Sequence, residues 1–144
     1  MNLEMTEAER EAFLAQPRIA LICIEQEASA PLAVPIWYGY TPAVGIWIAT
    51  TEASLKARRL DSAGRFTLVV HDEDRPHRYV SVEGPIVERR PLDAEGDVRP
   101  MAERYVPEAD QEAYVEETKR IPSLLYVMKP EVWRTMDQSK LSPS

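Results

Sequence analysis

The chain of 144 residues is long enough for one domain with a single core, and its composition, 44% hydrophobic and 28% charged residues, is typical of a globular protein. The formal net charge of −7 at pH 7 argues against nucleic acid as a partner, because binding a phosphate backbone requires a basic surface. A single cysteine, an acidic start without signal-peptide features, and apolar runs far shorter than the roughly 20 residues of a membrane span predict a cytoplasmic protein with no disulfide and no membrane partner.

Four stretches of the chain predict helices. Thr6 and Glu9 have the spacing of a capping box, which opens the first helix, and Pro17 ends it. Gly64 suits the left-handed conformation that often stops a helix, and it ends the second. Apolar residues at helical spacing indicate two more helices after Pro91. The predicted helices cover residues 6–16, 52–61, 93–105 and 109–120.

Short apolar or alternating runs between turn residues predict the strands. They cover residues 18–25, 31–40, 46–49, 65–71, 77–87 and 122–128, with a shorter candidate at 132–136. Cys23 lies in the first run and is predicted to be an inert core residue. Pro35 indicates an edge or a bulge in the second strand, and Gly84 with Pro85 indicates a bulge in the fifth.

The order of these elements predicts the fold class. Tight turns between successive strands favour an antiparallel sheet, and so many strands in a short chain favour a barrel. We therefore predict one mainly β (α+β) domain over residues 1–144, with six to seven antiparallel strands and peripheral helices. Residues 137–144 are predicted to form a flexible tail.

The start of the second helix concentrates groups that bind anions. Thr50, Thr51 and Ser54 lie where this helix begins, and Lys56 and Arg59 follow on one of its faces. A helix start offers unpaired backbone N–H groups and a partial positive charge, so the hydroxyls and cations complete a candidate phosphate cradle. The simpler interpretation of the two cations is a solvated basic face. The hydroxyl cluster favours anion binding.

Two aromatic residues, Trp37 and Tyr38, lie on the strand before this cradle. A phosphate at one end and a flat ring at the other would suit a ligand of the size of a flavin. Packing in the core or at a subunit interface is the alternative for these side chains. His71 and His77 have no third partner, so no metal site is predicted, and no nucleophile elbow, Walker loop or dinucleotide motif identifies a catalytic residue.

Three motifs occur in a familiar order: VPIWY at residues 34–38, SLKA at 54–57 and RYVSVEG at 78–84. A late set of residues follows them, namely Trp133, Asp137, Lys140 and Leu141. Together they resemble the pyridoxamine 5′-phosphate oxidase-like FMN-binding split β-barrels. Within these, the chain looks most like the flavin/deazaflavin (F420)-dependent oxidoreductases of actinobacteria. Many relatives have Asn where this chain has Arg59, which adds a charge near the predicted phosphate.

The resemblance implies a homodimeric split β-barrel with two cofactor grooves at the subunit interface. The cofactor would be FMN or coenzyme F420, with its phosphate held around Ser54 and Lys56 and its ring along the backbone of the strand that contains Trp37. Extra cations such as Arg59 suit the acidic oligoglutamate tail of F420. The implied cofactor-binding residues are Pro35, Ile36, Trp37, Tyr38, Thr50, Thr51, Ser54, Lys56, Arg59, Arg78, Trp133 and Lys140.

The function expected from the resemblance is an oxidoreductase that transfers a hydride to or from a small conjugated substrate. The absence of a catalytic constellation is compatible with this, since the cofactor carries the hydride chemistry. The alternative is a non-catalytic protein that carries a cofactor or binds a tetrapyrrole or a fatty acid. Oxidation of pyridoxamine phosphate itself is less favoured, because no set of Arg and His residues for a substrate phosphate follows the last strand.

Overall fold

The computed structural model describes residues 2–141, which form eight β-strands and four α-helices. The strands are β1 Ala20–Ile24, β2 Leu32–Ile36, β3 Gly39–Thr41, β4 Gly45–Thr51, β5 Arg65–His71, β6 Arg78–Pro91, β7 Ser123–Met128 and β8 Val132–Asp137. The helices are α1 Glu7–Ala15, α2 Leu55–Ala63, α3 Arg99–Tyr105 and α4 Gln111–Thr118. Short helical turns precede α3 and α4. No helix in residues 2–141 is long and apolar enough to cross a membrane.

The strands form one antiparallel sheet in the order β2-β1-β5-β6-β7-β4-β3, and β8 pairs with β6. The 14-residue strand β6 holds the two halves of this sheet together. Its first part pairs with β5 and β8, its second part pairs with β7, and the register shifts between Ile86 and Glu88. The curled, half-open sheet confirms the predicted antiparallel split barrel. The homodimer stays a prediction.

The strand count exceeds the predicted six to seven because the second predicted strand, residues 31–40, is two strands. Residues 37 and 38 pair with neither half of the sheet. Tyr38 is fully buried, and its hydroxyl donates to the carbonyl of Leu14 at 3.0 Å. Trp37 instead stacks on Tyr105 of α3. The two side chains therefore separate β2 from β3.

The core lies on one face of β1. Ile22 and Ile24 are completely buried there, whereas Cys23 between them is half-buried on the opposite face. The prediction of Cys23 as a core residue is therefore wrong, since alternate residues of a strand face opposite sides of a sheet. Residues 137–141, where a flexible tail is predicted, end β8 and form a short helical turn. The rest of that tail lies outside the described residues.

The carboxyl end of α1 is held by a cation from α3. The guanidinium of Arg104 donates to the carbonyl oxygens of Leu14, Ala15 and Gln16 at 2.8, 2.9 and 3.1 Å. The last carbonyls of a helix have no partners within it, and a cation there also offsets the helix dipole. The amino end has the predicted capping box of Thr6. Backbone groups at both ends of α1 therefore have hydrogen-bond partners outside the helix.

We expect Arg104→Gln to lower the free energy of unfolding by about 2 kcal/mol, because three charge-assisted hydrogen bonds to carbonyls at the end of α1 are lost. Urea unfolding, followed by circular dichroism, measures this change. Arg120→Gln is the matched control, since Arg120 is exposed and its side chain forms no ion pair with a described residue. Equal stability of the two variants would show that Arg104 does not hold α1.

Candidate functional site

The helix α2 begins with an N-cap that leaves backbone donors free. The hydroxyl oxygen of Ser54 accepts from the N–H of Ala57 at 3.1 Å and lies 2.9 Å from the hydroxyl of Thr50. The helix therefore starts at Leu55, three residues after the predicted start. The N–H groups of Leu55 and Lys56 donate to no acceptor among residues 2–141. Such groups are the donors that bind phosphate at helix starts.

Lys56 lines a cavity of about 400 Å³ next to this helix start. It is half-buried and forms no ion pair or hydrogen bond with another described residue. No acidic residue lines the cavity, whose other walls are Ile19, Pro35, Ile36, Trp37, Ala49, Met101 and Tyr114. An uncompensated cation in an apolar, aromatic cavity favours an anionic ligand that also has a flat, apolar part.

The aromatic wall of this first cavity is fixed by stacking. The ring of Trp37 lies 4.8 Å from that of Tyr105 at an interplanar angle of 5°, and 5.7 Å from that of Tyr114. The hydroxyl of Tyr105 lies 2.8 Å from the carbonyl of Arg18 and 3.2 Å from that of Tyr38, so it links the residues before β1 to the segment between β2 and β3. These contacts hold the Trp37 indole rigidly at the cavity.

A second cavity, of about 260 Å³, adjoins the first and shares Ala49, Met101 and Tyr114 with it. Thr50 and Thr51 line this second cavity, not the one that contains Lys56. The remaining walls are Trp47, Leu92, Asp97, Val98, Glu117, Thr118, Ile121 and Ser123. The two cavities therefore run side by side between β4 and the helices α3 and α4.

The structure brings together only part of the predicted set of cofactor-binding residues. Pro35, Ile36, Trp37 and Lys56 surround the first cavity, while Tyr38 can present only its backbone, because its side chain is buried. Burial also raises the pKa of the Tyr38 hydroxyl to about 12, so the group stays protonated.

The other predicted cations have partners. Arg59 donates to the side-chain oxygen of Gln26 at 3.0 Å, with no carboxylate within reach among residues 2–141. Arg78 pairs with Asp72 at 2.6 Å, over the barrel end that α1 covers. The cation of Arg59 therefore remains uncompensated, and that of Arg78 is offset by a carboxylate.

Two late residues of the predicted set pack within their own chain. The ammonium of Lys140 donates to Glu9 at 2.7 Å, and the indole of Trp133 lies under the guanidinium of Arg10 and beside Tyr40. Neither residue lines the two cavities. Their roles as cofactor-binding residues stay predictions.

Sequence reasoning missed two cavity walls from α3 and α4, Met101 and Tyr114, and it missed Tyr105, which stacks on Trp37. Helical spacing locates these helices, but only the folded chain shows which strand they cover. The aromatic residues of both helices are the one feature of the sequence that could have indicated these cavity walls. Within residues 2–141 no group of three or more potential metal-ligating side chains lies together.

Asp97 connects the segment before α3 to β6 through hydrogen bonds. It accepts two hydrogen bonds from Arg90, at 2.7 and 2.8 Å, and one from the N–H of Asp93 at 2.8 Å. Burial acts to raise the pKa of Asp97, but the hydrogen bonds from Arg90 and Asp93 outweigh it and hold the pKa below its ordinary value. This pair fixes one wall of the second cavity.

Because the pKa of Asp97 is lowered in the folded state, the stability that the Asp97–Arg90 pair contributes depends on pH. This contribution is fully present above the ordinary pKa of 3.8 and is lost as the pH falls through the lower pKa of the folded state. We expect Asp97→Asn to lower the free energy of unfolding by about 1–2 kcal/mol at pH 7 and by less at pH 3. Urea unfolding at both pH values checks this. A deficit that is the same at both would contradict it.

Comparisons with known proteins bear on the family and the fold. The family model described as pyridoxamine 5′-phosphate oxidase matches residues 5–137. The conserved hypothetical protein Rv2991 from Mycobacterium tuberculosis has a similar structure, with a TM-score of 0.78 and 21% identity over 99% of this chain and 91% of its own. No curated protein matches the chain significantly.

Two further solved structures share the fold. An F420 reductase has a TM-score of 0.69 and 19% identity over 86% of this chain and 94% of its own. The heme storage protein HutZ from Vibrio cholerae has a TM-score of 0.64 and 10% identity, over 94% and 96%. At these identities the similarity shows the fold alone. The match to the family model confirms the resemblance seen in the sequence motifs, and the chain belongs to the pyridoxamine 5′-phosphate oxidase family.

Proposed function

We propose that the protein is an oxidoreductase that binds FMN or coenzyme F420 and transfers a hydride to or from a small conjugated substrate. The observation that carries this proposal is the uncompensated Lys56 in an apolar cavity, beside two free N–H groups at the start of α2. The residues present therefore fit a cofactor with a phosphate and a flat ring. The F420 reductase that shares the fold supports a cofactor of this type.

The chain's own residues would bind and orient the cofactor, which supplies the hydride chemistry when bound. Lys56 and the first N–H groups of α2 would hold the phosphate, and the hydroxyl of Ser54, which caps the helix, would keep these N–H groups in place. The backbone of residues 35–38 would lie along the ring, and the stacked Trp37 would keep water from it. Arg59, which has no carboxylate partner among the described residues, would meet the acidic tail of F420.

A homodimer belongs to the same proposal. Ile19 and Leu21 expose 53% and 39% of their surface, and Ile19 also lines the cavity that contains Lys56. A second copy packed on this apolar surface would bury both residues and cover the open side of the cavity. Sedimentation equilibrium of the purified protein measures its oligomeric state. A monomer at micromolar concentration would contradict this part of the proposal.

Anaerobic kinetics with the loaded protein test the activity. We expect the protein loaded with reduced FMN or reduced F420 to reduce a quinone or an enone faster than the free cofactor does, as followed by the cofactor's absorbance. Binding without any acceleration, for quinones, enones and biliverdin alike, would favour the non-catalytic alternative instead.

The tetrapyrrole alternative has one supporting observation, the shared fold of a heme storage protein. Neither cavity described above is lined by a histidine, since His71 and His77 lie at the hairpin between β5 and β6. Histidine is a common axial ligand of heme iron. The lining therefore favours a flavin-type cofactor. Titration with hemin, followed by the Soret band, is expected to show no saturable complex.

A further inference from the structure

The two adjoining cavities differ in charge, although they share three residues. The first contains the cation Lys56 and no acidic side chain. The second is lined by two carboxylates, those of Asp97 and Glu117, and by no basic residue. A ligand that suits one cavity is therefore electrostatically unsuited to the other. This separation indicates two ligands, or two parts of a reaction complex, with different charges.

The size and walls of the second cavity limit what can enter it. A volume of about 260 Å³ exceeds the roughly 150 Å³ of an apolar cavity that binds benzene, so a fused two-ring molecule can fit. Trp47 and Tyr114 supply aromatic faces, and Leu92 and Val98 supply aliphatic ones. Walls of this kind bind apolar rings, and the few polar groups at the edge orient them.

The negative charge at this cavity comes mainly from one residue. The carboxylate of Asp97 is offset by its two hydrogen bonds from Arg90. Glu117 is exposed on α4 and forms no ion pair with any residue in the described part of the chain. An anionic ring would be repelled by Glu117, whereas a neutral ring would not.

We propose that the second cavity is the substrate subsite and that it takes a neutral substrate with one or two apolar rings. Its role as a substrate site rests on the proposed function, because the shared residues Ala49, Met101 and Tyr114 place it against the cavity assigned to the cofactor. The binding of a neutral ring is a property of the cavity itself and requires no cofactor.

Calorimetric titration with 1-naphthol and 1-naphthalenesulfonate tests this binding. The two probes share their rings and differ in charge. Both are titrated into the cofactor-free Lys56→Ala variant, which removes the cation that would attract the sulfonate to the first cavity. We expect saturable binding of 1-naphthol and at least tenfold weaker binding of the sulfonate. Equal affinities for the two probes, or no binding of 1-naphthol, would overturn the proposal.

Two further substitutions in the same background locate the probe. Glu117→Lys is expected to tighten binding of the sulfonate by roughly three- to tenfold. Glu108→Lys makes the same charge change on an exposed residue outside the cavity and is expected to leave the affinity for the sulfonate unchanged. Val98→Phe fills the cavity and should weaken 1-naphthol binding more than tenfold. A folded Val98→Phe variant with unchanged affinity for 1-naphthol would show that the probe does not bind in the second cavity. If this variant does not fold, the comparison of Glu117→Lys with Glu108→Lys tests the location instead.

These titrations distinguish the two proposals from each other. FMN and F420 are titrated separately against the wild-type protein. If a cofactor binds but 1-naphthol does not, only the substrate subsite is wrong. If 1-naphthol binds with the expected charge dependence but no cofactor does, the cavity stands as a binding site and the proposed function fails.

Discussion

Replacing Lys56 with alanine is expected to weaken cofactor binding by roughly ten- to a hundredfold while the stability of the protein stays unchanged. Its ammonium has no ion-pair partner among residues 2–141 and lines the cavity beside the free N–H groups of α2. A hydrogen bond to a charged group contributes about 1.5–3 kcal/mol, which corresponds to that range of affinities. Fluorescence titration of FMN and of F420 against both proteins measures the effect.

The neighbouring residue Arg58 gives a matched control for this experiment. It is exposed, and its guanidinium donates to the carbonyl of Ala53 at 3.1 Å, outside the cavity. Arg58→Ala removes the same charge and should change the affinity less than threefold. Equal losses in the two variants would show a general effect of net charge, and unchanged affinity in Lys56→Ala would remove Lys56 from the site.

The largest expected loss of stability follows from Gly84→Ala. A Cβ at Gly84 would lie 1.8 Å from the carbonyl oxygen of Lys129, which is backbone and cannot rotate away. Gly84 pairs with Phe66 in the middle of the barrel, so relief requires β6 to move from its neighbours. Overpacking of this kind costs about 3 kcal/mol. Urea unfolding of the variant measures it.

Gly64 provides the comparison. It ends α2 with a φ of 69°, but a Cβ there would meet no atom within 4 Å. Gly64→Ala should therefore cost only the backbone strain of the left-handed conformation, about 1 kcal/mol. If Gly84→Ala were no more destabilising than Gly64→Ala, the close approach of Lys129 would not limit this position.

Local signals were sufficient to predict the element types, because they depend on residues close in sequence. The capping box of Thr6 and the glycine stop of α2 are both present. The observed start of α2 is three residues after the predicted one, since threonine and serine, the residue types at 50, 51 and 54, all act as N-caps. Only the observed hydrogen bond to Ala57 identifies Ser54.

The break between β2 and β3 could not be predicted from local pattern. VPIWYGY reads as one continuous strand, and its interruption depends on Tyr38 reaching the end of α1. The partner of Lys140 is equally non-local, since Glu9 lies 131 residues away in the chain. Arg78 instead pairs with Asp72, six residues before it and across the hairpin between β5 and β6.

The cavity walls were missed for the same reason. Met101 and Tyr114 lie 64 and 77 residues after Trp37 in the chain and come close to it only because α3 and α4 fold back over β4. Helical periodicity gives the apolar face of such helices, but their position over the sheet depends on tertiary packing. The residues of the predicted phosphate cradle, by contrast, are close together in the sequence, and their binding of a phosphate stays a prediction.

A crystal structure of the protein with FMN or F420 tests the central claim most directly. The account predicts electron density for the phosphate within hydrogen-bond distance of the N–H groups of Leu55 and Lys56, with the ring in the cavity beside Trp37. A bound cofactor whose phosphate lies away from the start of α2, or whose ring lies outside the cavity beside Trp37, would contradict it.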